Sequence, residues 1–88
     1  MAFRFEELKV WQMALDLCNE IDLLTKKFPT EERYSLSSQI KRAADSVVLN
    51  IAEGSTGQTA PEFKRFLNIG LRSAVEVVAC LFIAIKRN

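Results

Sequence analysis

Gln39, Arg42, Ser46, Asn50 and Glu53 recur at steps of three and four beside an equally regular apolar row of Leu36, Ile40, Ala43, Val47 and Ile51. On a helix, five hydrogen-bonding side chains of both charge signs would then run along or beside a buried seam. Such a stripe can line a groove that binds something polar. It can equally tie one helix to the next and fix their register, as a buried Asn does in a coiled coil. The tying role is the preferred reading, because charged groups inside bundles are usually paired and each orphaned polar group costs roughly 1–3 kcal/mol. Glu76 is the sharper anomaly, a lone carboxylate between Val75 and Val77 in apolar surroundings. Burying it unpaired costs several kcal/mol, so it should be buried against a cation. Arg42 across the helices is the expected partner, since Arg72 has the less favourable order along the same helix. Ser73 is expected to join this network. As a catalytic acid Glu76 has no help: the chain has no His, and no second carboxylate stands at a fixed helical step from it.

Other residues that could do chemistry lead no further. Gly54-Ser55-Thr56-Gly57 lacks the Gly-Lys-Ser/Thr ending and the preceding strand of a phosphate loop, so it reads as a connector. Cys18 and Cys80 sit in apolar helical runs with no second pair nearby, which reads as two small buried thiols, not a disulfide or a metal site. No catalytic residue, cofactor or metal is therefore expected, and the chain does not read as an enzyme. The basic residues Lys41, Lys64, Arg65 and Arg72 are the expected contacts if RNA or DNA is bound; Arg65 and Arg72, seven apart, share a helix face. Solvated Lys and Arg are the norm, so a plain surface is the competing reading for each.

Three helices position these residues. Leu8, Trp11, Leu15, Cys18 and Val10, Ala14, Leu17, Ile21, Leu24 form two apolar rows over about residues 6–27, closed by Lys26, Lys27 and a stop at Pro29. The second helix covers about 36–53, capped from Ser35 or Ser37, with Gly54 where a left-handed residue is favoured. Thr59-Ala60-Pro61-Glu62 is a capping box with proline in the first turn, opening a third helix over about 60–86. Near its end Val77 to Ile85 is an unbroken apolar run that two neighbouring helices cannot cover all round, and is too short for a membrane span of about 20 residues. Another subunit or a further helix should cover it.

The 88 residues make one domain, 49% hydrophobic and 26% charged, a globular balance that excludes disorder. A net charge of +1 gives no bulk drive toward nucleic acid or anionic membrane. Met1 to Val10 lacks an apolar signal-peptide core, so a cytoplasmic protein is expected.

The run Ser38-Gln39-Ile40-Lys41-Arg42-Ala43-Ala44-Asp45-Ser46, then Asn50-Ile51-Ala52-Glu53-Gly54, then Glu62-Phe63-Lys64-Arg65-Phe66-Leu67, and Ser73 with Glu76, resembles the bacterial four-helix-bundle proteins encoded in intervening sequences of 23S ribosomal RNA genes. Leu8-Lys9-Val10-Trp11 and the Phe28-Pro29 stop are similar to that family too, so the likeness spans nearly the whole chain. Members are labelled as ribosomal protein relatives. They are also similar to the accessory proteins of diversity-generating retroelements, basic pentameric barrels that bind nucleic acid and a reverse transcriptase. The resemblance implies an all-α, up-down antiparallel bundle and a homo-oligomer, specifically a pentamer. Family members continue into a fourth long helix, whereas this chain ends at Lys86-Arg87-Asn88 with three, in keeping with the uncovered apolar run. The expected function is a non-enzymatic oligomeric scaffold or accessory protein that associates with RNA or DNA. The rival expectation is a module that binds another protein and no nucleic acid.

Overall fold

A computed structural model describes residues 3–57 and 59–87. Among them lie three helices, α1 (Lys9–Thr25), α2 (Leu36–Ser55) and α3 (Ala60–Arg87), with short 3-10 turns at Arg4–Glu7 and Thr30–Glu32. The protein is an all-α bundle, as its apolar periodicity predicts.

α1 begins later than that periodicity suggests. Leu8 is extended (φ −79°, ψ 122°) and separates α1 from the turn before it. That turn is held by the Phe3 N–H, which donates to the Glu6 carboxylate at 2.7 Å, and by the Gln12 amide, which donates to the Glu6 carbonyl at 2.8 Å. The break lets the Phe5 ring fold onto Trp11, centroids 4.8 Å apart, so aromatic packing prevails over helix continuation.

α2 runs through Gly54 without a left-handed cap, and no described residue has positive φ. A different demand places glycine there. A Cβ on Gly54 would stand 2.7 Å from Phe66 Cβ and 2.9 Å from Phe63 Cδ1, so the end of α2 touches α3 where only hydrogen fits. α3 opens as its capping pattern predicts, with Thr59 Oγ1 accepting from the Glu62 N–H at 3.2 Å.

α2 is the middle helix. α1 and α3 both pack on it, while their own backbones stay apart. Both pairings are antiparallel: Cys18 and Asp22 of α1 reach Asp45 and Lys41 of α2, and Ser73 and Glu76 of α3 reach Ser46 and Gln39. The buried core joins Ile40, Ala43 and Ala44 to Ile21 of α1 and to Val77 and Cys80 of α3. A second cluster gathers Ala14, Val47 and Ile51 under Trp11 and Leu67.

The apolar run at the end of α3 is covered on one side, not open all round. Val77 and Cys80 are buried and Leu81 and Ala84 half-buried, whereas Val78, Phe82, Ile83 and Ile85 face out. Arg87 secures the end by donating to both carboxylate oxygens of Glu32, at 3.1 and 3.2 Å. Taken over its full length α3 is long and apolar enough to cross a membrane, which the short run alone is not. Of its 28 residues Gly70, Val77 and Cys80 are buried, and 17% of its most apolar stretch is enclosed by the rest of the bundle.

Candidate functional site

Along the α2–α3 contact the polar stripe forms a chain of hydrogen bonds. Ser73 Oγ donates to Ser46 Oγ at 2.8 Å, and the Asn50 amide donates to Ser46 Oγ at 2.9 Å and to the Ser46 carbonyl at 2.8 Å. Nearer the start of α2, Gln39 Nε2 donates to Glu76 Oε2 at 3.3 Å. Five of the seven expected network residues are thus engaged. Arg42 and Glu53 are not: both are exposed, and neither side chain makes a hydrogen bond or ion pair among the described residues. At 3.6 residues per turn they sit a further step round α2 from Ser46 and Asn50, away from the buried row.

Glu76 departs from expectation in two ways. It is exposed, and its partner is an amide, not the guanidinium of Arg42 or Arg72. Val77, one step on, is the residue that turns into the core, so Glu76 lies at the margin of the α2–α3 contact, where water carries the cost of its charge.

The thiols are inert. Cys18 is half-buried and its Sγ donates to Asp45 Oδ1 at 3.5 Å; desolvation first, then the Asp45 carboxylate, push its pKa up to about 11. Burial, with the charge of Glu76 behind it, also raises Cys80. In the connector after α2, the hydroxyls of Ser55 and Thr56 turn back onto the carbonyls of Ala52 and Glu53, both at 2.7 Å, so neither is turned outward to cradle a phosphate. Gln58 of that connector lies outside the described residues. No group of three or more acidic, Cys or His side chains capable of holding a metal ion occurs among the described residues.

The four basic residues singled out from the sequence do not form one patch. Lys64, Arg65 and Arg72 are exposed along α3, with the Arg65 guanidinium over the Phe66 ring at 5.0 Å. Lys41 lies on the other flank of α2, paired with Asp22 of α1 at 3.4 Å. There it lines a groove of about 620 Å³ that also receives Lys26, Arg33 and Arg42. Sequence reading missed that groove, having taken Lys26 only as a helix-end cation; Lys26 and Arg33 on either side of the Pro29 stop were the available signal.

The larger feature is an exposed apolar row on α3. Leu71, Val75, Val78, Phe82 and Ile85 alternate steps of four and three, and each is between 51% and 73% exposed. α1 shows a shorter one in Val10 and Met13. One buried donor also lacks a partner: Trp11 Nε1 is enclosed with no acceptor among the described residues.

Comparison with curated proteins gives no match. The sequence profile of the 23S rRNA-intervening sequence protein family matches residues 6–88, and the chain belongs to that family.

Proposed function

We propose that this member of the 23S rRNA-intervening sequence proteins is a non-enzymatic cytoplasmic scaffold that assembles with copies of itself through the open side of α3. The observation that carries the reading is the row Leu71, Val75, Val78, Phe82 and Ile85, whose alternating spacing is that of helices packing along a seam. A row of this length is more than the scattered apolar residues of an ordinary surface. The occupant is a second copy, because α1 offers its own exposed row at Val10 and Met13. Contact between α3 of one copy and α1 of the next joins two different faces, and such a contact closes into a ring when the rotation permits. A pentamer is the ring that the resemblance to the retroelement accessory proteins favours. Light scattering on the purified chain tests this. The mass should be a multiple of 10.0 kDa, and Phe82→Lys with Val75→Lys should reduce it to that value with helicity retained. A folded 10.0 kDa monomer at micromolar concentration refutes the proposal.

A second reading adds association with RNA or DNA, favoured by Lys64, Arg65 and Arg72 lying exposed along one helix. A ring repeats that short basic edge around its axis and offsets the near-neutral charge of the single chain. Binding of this kind is weak and sequence-tolerant, because phosphate contacts carry no base information. Retention of nucleic acid at about 50 mM salt, weakening with a log–log slope of about 0.7–0.9 per contact and abolished by neutralising the three residues together, supports it. No retention leaves a scaffold that binds protein alone.

A further inference from the structure

At the corner where α1 gives way to α2, the groove of about 620 Å³ is lined by Lys26, Arg33, Lys41 and Arg42, with Asp45 the carboxylate in its wall. Lys26 and Lys41 share the nearby Asp22, at 3.6 and 3.4 Å. Arg33 and Arg42 have neither ion pair nor hydrogen bond to their side chains among the described residues. Two guanidinium groups therefore stand uncommitted beside one concave surface. Their planar forks suit phosphate oxygens, which accept two parallel hydrogen bonds.

The floor of the groove is the start of α2. Its first N–H, that of Leu36, is taken by the Ser35 hydroxyl, but those of Ser37 and Ser38 have no acceptor among the described residues. Ser37 is only 9% exposed, lines the groove, and its hydroxyl makes no hydrogen bond. A nearly buried hydroxyl without a partner lines the groove at the positive end of a 20-residue helix, together with two guanidinium groups free of ion pairs, while the Glu32 carboxylate, which accepts from the Ser35 hydroxyl at 2.7 Å, occupies the very start of that helix end.

From this we propose that the α1–α2 corner binds a phosphoryl group. The Ser37 hydroxyl and the Ser37 and Ser38 N–H groups hold its oxygens from below, and Arg33 and Arg42 neutralise it from the sides. The site is separate from the exposed row on α3 and stands whether or not the chain assembles. Asp45 opposes it and limits its affinity; that carboxylate already accepts from the Cys18 thiol. The phosphoryl group can come from a free phosphate ester or from the end of a nucleic acid strand, and Tyr34, 88% exposed at the rim, leaves room for what it is attached to.

Equilibrium dialysis of the full chain against radiolabelled inorganic phosphate, at constant ionic strength, tests the assignment. Uptake should saturate near one phosphate per chain and shift the amide resonances of Ser37 and Ser38. Arg33→Gln and Arg42→Gln should each weaken it about tenfold and Ser37→Ala about threefold, with helicity unchanged. Asp45→Asn should tighten it, while Lys64→Gln and Arg65→Gln should leave it alone. Short oligonucleotides with and without a 5′ phosphate identify the source: preference for the phosphorylated strand assigns a strand end, and equal weak binding beside saturable phosphate uptake assigns a free ester. Non-saturating uptake, or wild-type affinity in the folded Arg33→Gln, Arg42→Gln double variant, overturns the proposal. If that double variant unfolds, unmoved Ser37 and Ser38 amides in the wild type are enough to overturn it.

Discussion

Two glycines in this bundle should respond to the same substitution with opposite signs. Neither needs a special backbone conformation, since no described residue has positive φ, and both lie inside helices, where alanine is favoured over glycine by up to about 1 kcal/mol. Their surroundings differ. At Gly54 a new Cβ meets Phe66 Cβ at 2.7 Å and Phe63 Cδ1 at 2.9 Å; the first is anchored to the α3 backbone and cannot rotate away, so the helices must part. Overpacking of this kind costs about 1–3 kcal/mol, which outweighs the helical gain and leaves Gly54→Ala destabilised by about 1–2 kcal/mol. At Gly70 the nearest atoms are the Val47 carbonyl oxygen at 3.7 Å and Asn50 Cβ at 3.8 Å, ordinary contact that accepts a methyl group. Gly70→Ala should therefore gain about 0.5–1 kcal/mol. For a domain of this size 1 kcal/mol moves the melting temperature by roughly 4–8 °C. Thermal unfolding followed by circular dichroism, at one fixed protein concentration because self-association feeds into the midpoint, should place the two variants on opposite sides of the wild type. A rise in Tm for Gly54→Ala, or a fall of several degrees for Gly70→Ala, refutes the close-approach argument.

Ser46→Ala should cost about 1–3 kcal/mol in urea unfolding, since it strips a partner from both the Ser73 hydroxyl and the Asn50 amide in the seam. Glu76→Gln, by contrast, should change stability by less than about 0.5 kcal/mol, because the side chain is exposed and its amide successor can still accept from Gln39. The Glu32 carboxyl is held below its ordinary range by the Ser35 hydroxyl first and then by Arg87, so its contribution is present above the unfolded-state pKa and is lost as pH falls through the lower folded value. The Tm difference between wild type and Glu32→Gln should accordingly hold from pH 7 to about 5 and close below roughly pH 4. A difference that grows on acidification contradicts this.

The three helices were legible because periodicity is a property of the chain alone: apolar steps of three and four gave each helix, and Thr59 with Glu62 marked the start of α3. The polar seam was legible for the same reason, since Gln39, Ser46 and Asn50 share their period with the core row. Its width was not. A wheel says that Arg42 and Glu53 are neighbours of the stripe, but only the line along which α3 crosses α2 decides which members touch a partner, and that line depends on close approaches such as Gly54 against Phe66. Glu76 was misread through the same gap, because apolar neighbours in sequence lie about 100° away round a helix and need not surround it in space. The basic groove was hidden for a stronger reason. Lys26, Arg33 and the pair Lys41 and Arg42 belong to a helix end, a connection and a second helix, so their convergence follows from the angle at which the chain turns between α1 and α2. The open face of α3 falls between these cases. Its apolar excess is visible in composition, but which side stays bare is settled by α2, which takes Val77 and Cys80 and leaves Val78, Phe82 and Ile85 outside. What a helix needs from a partner can thus be read from sequence, whereas which side still lacks one becomes visible only when the partners already present are in place.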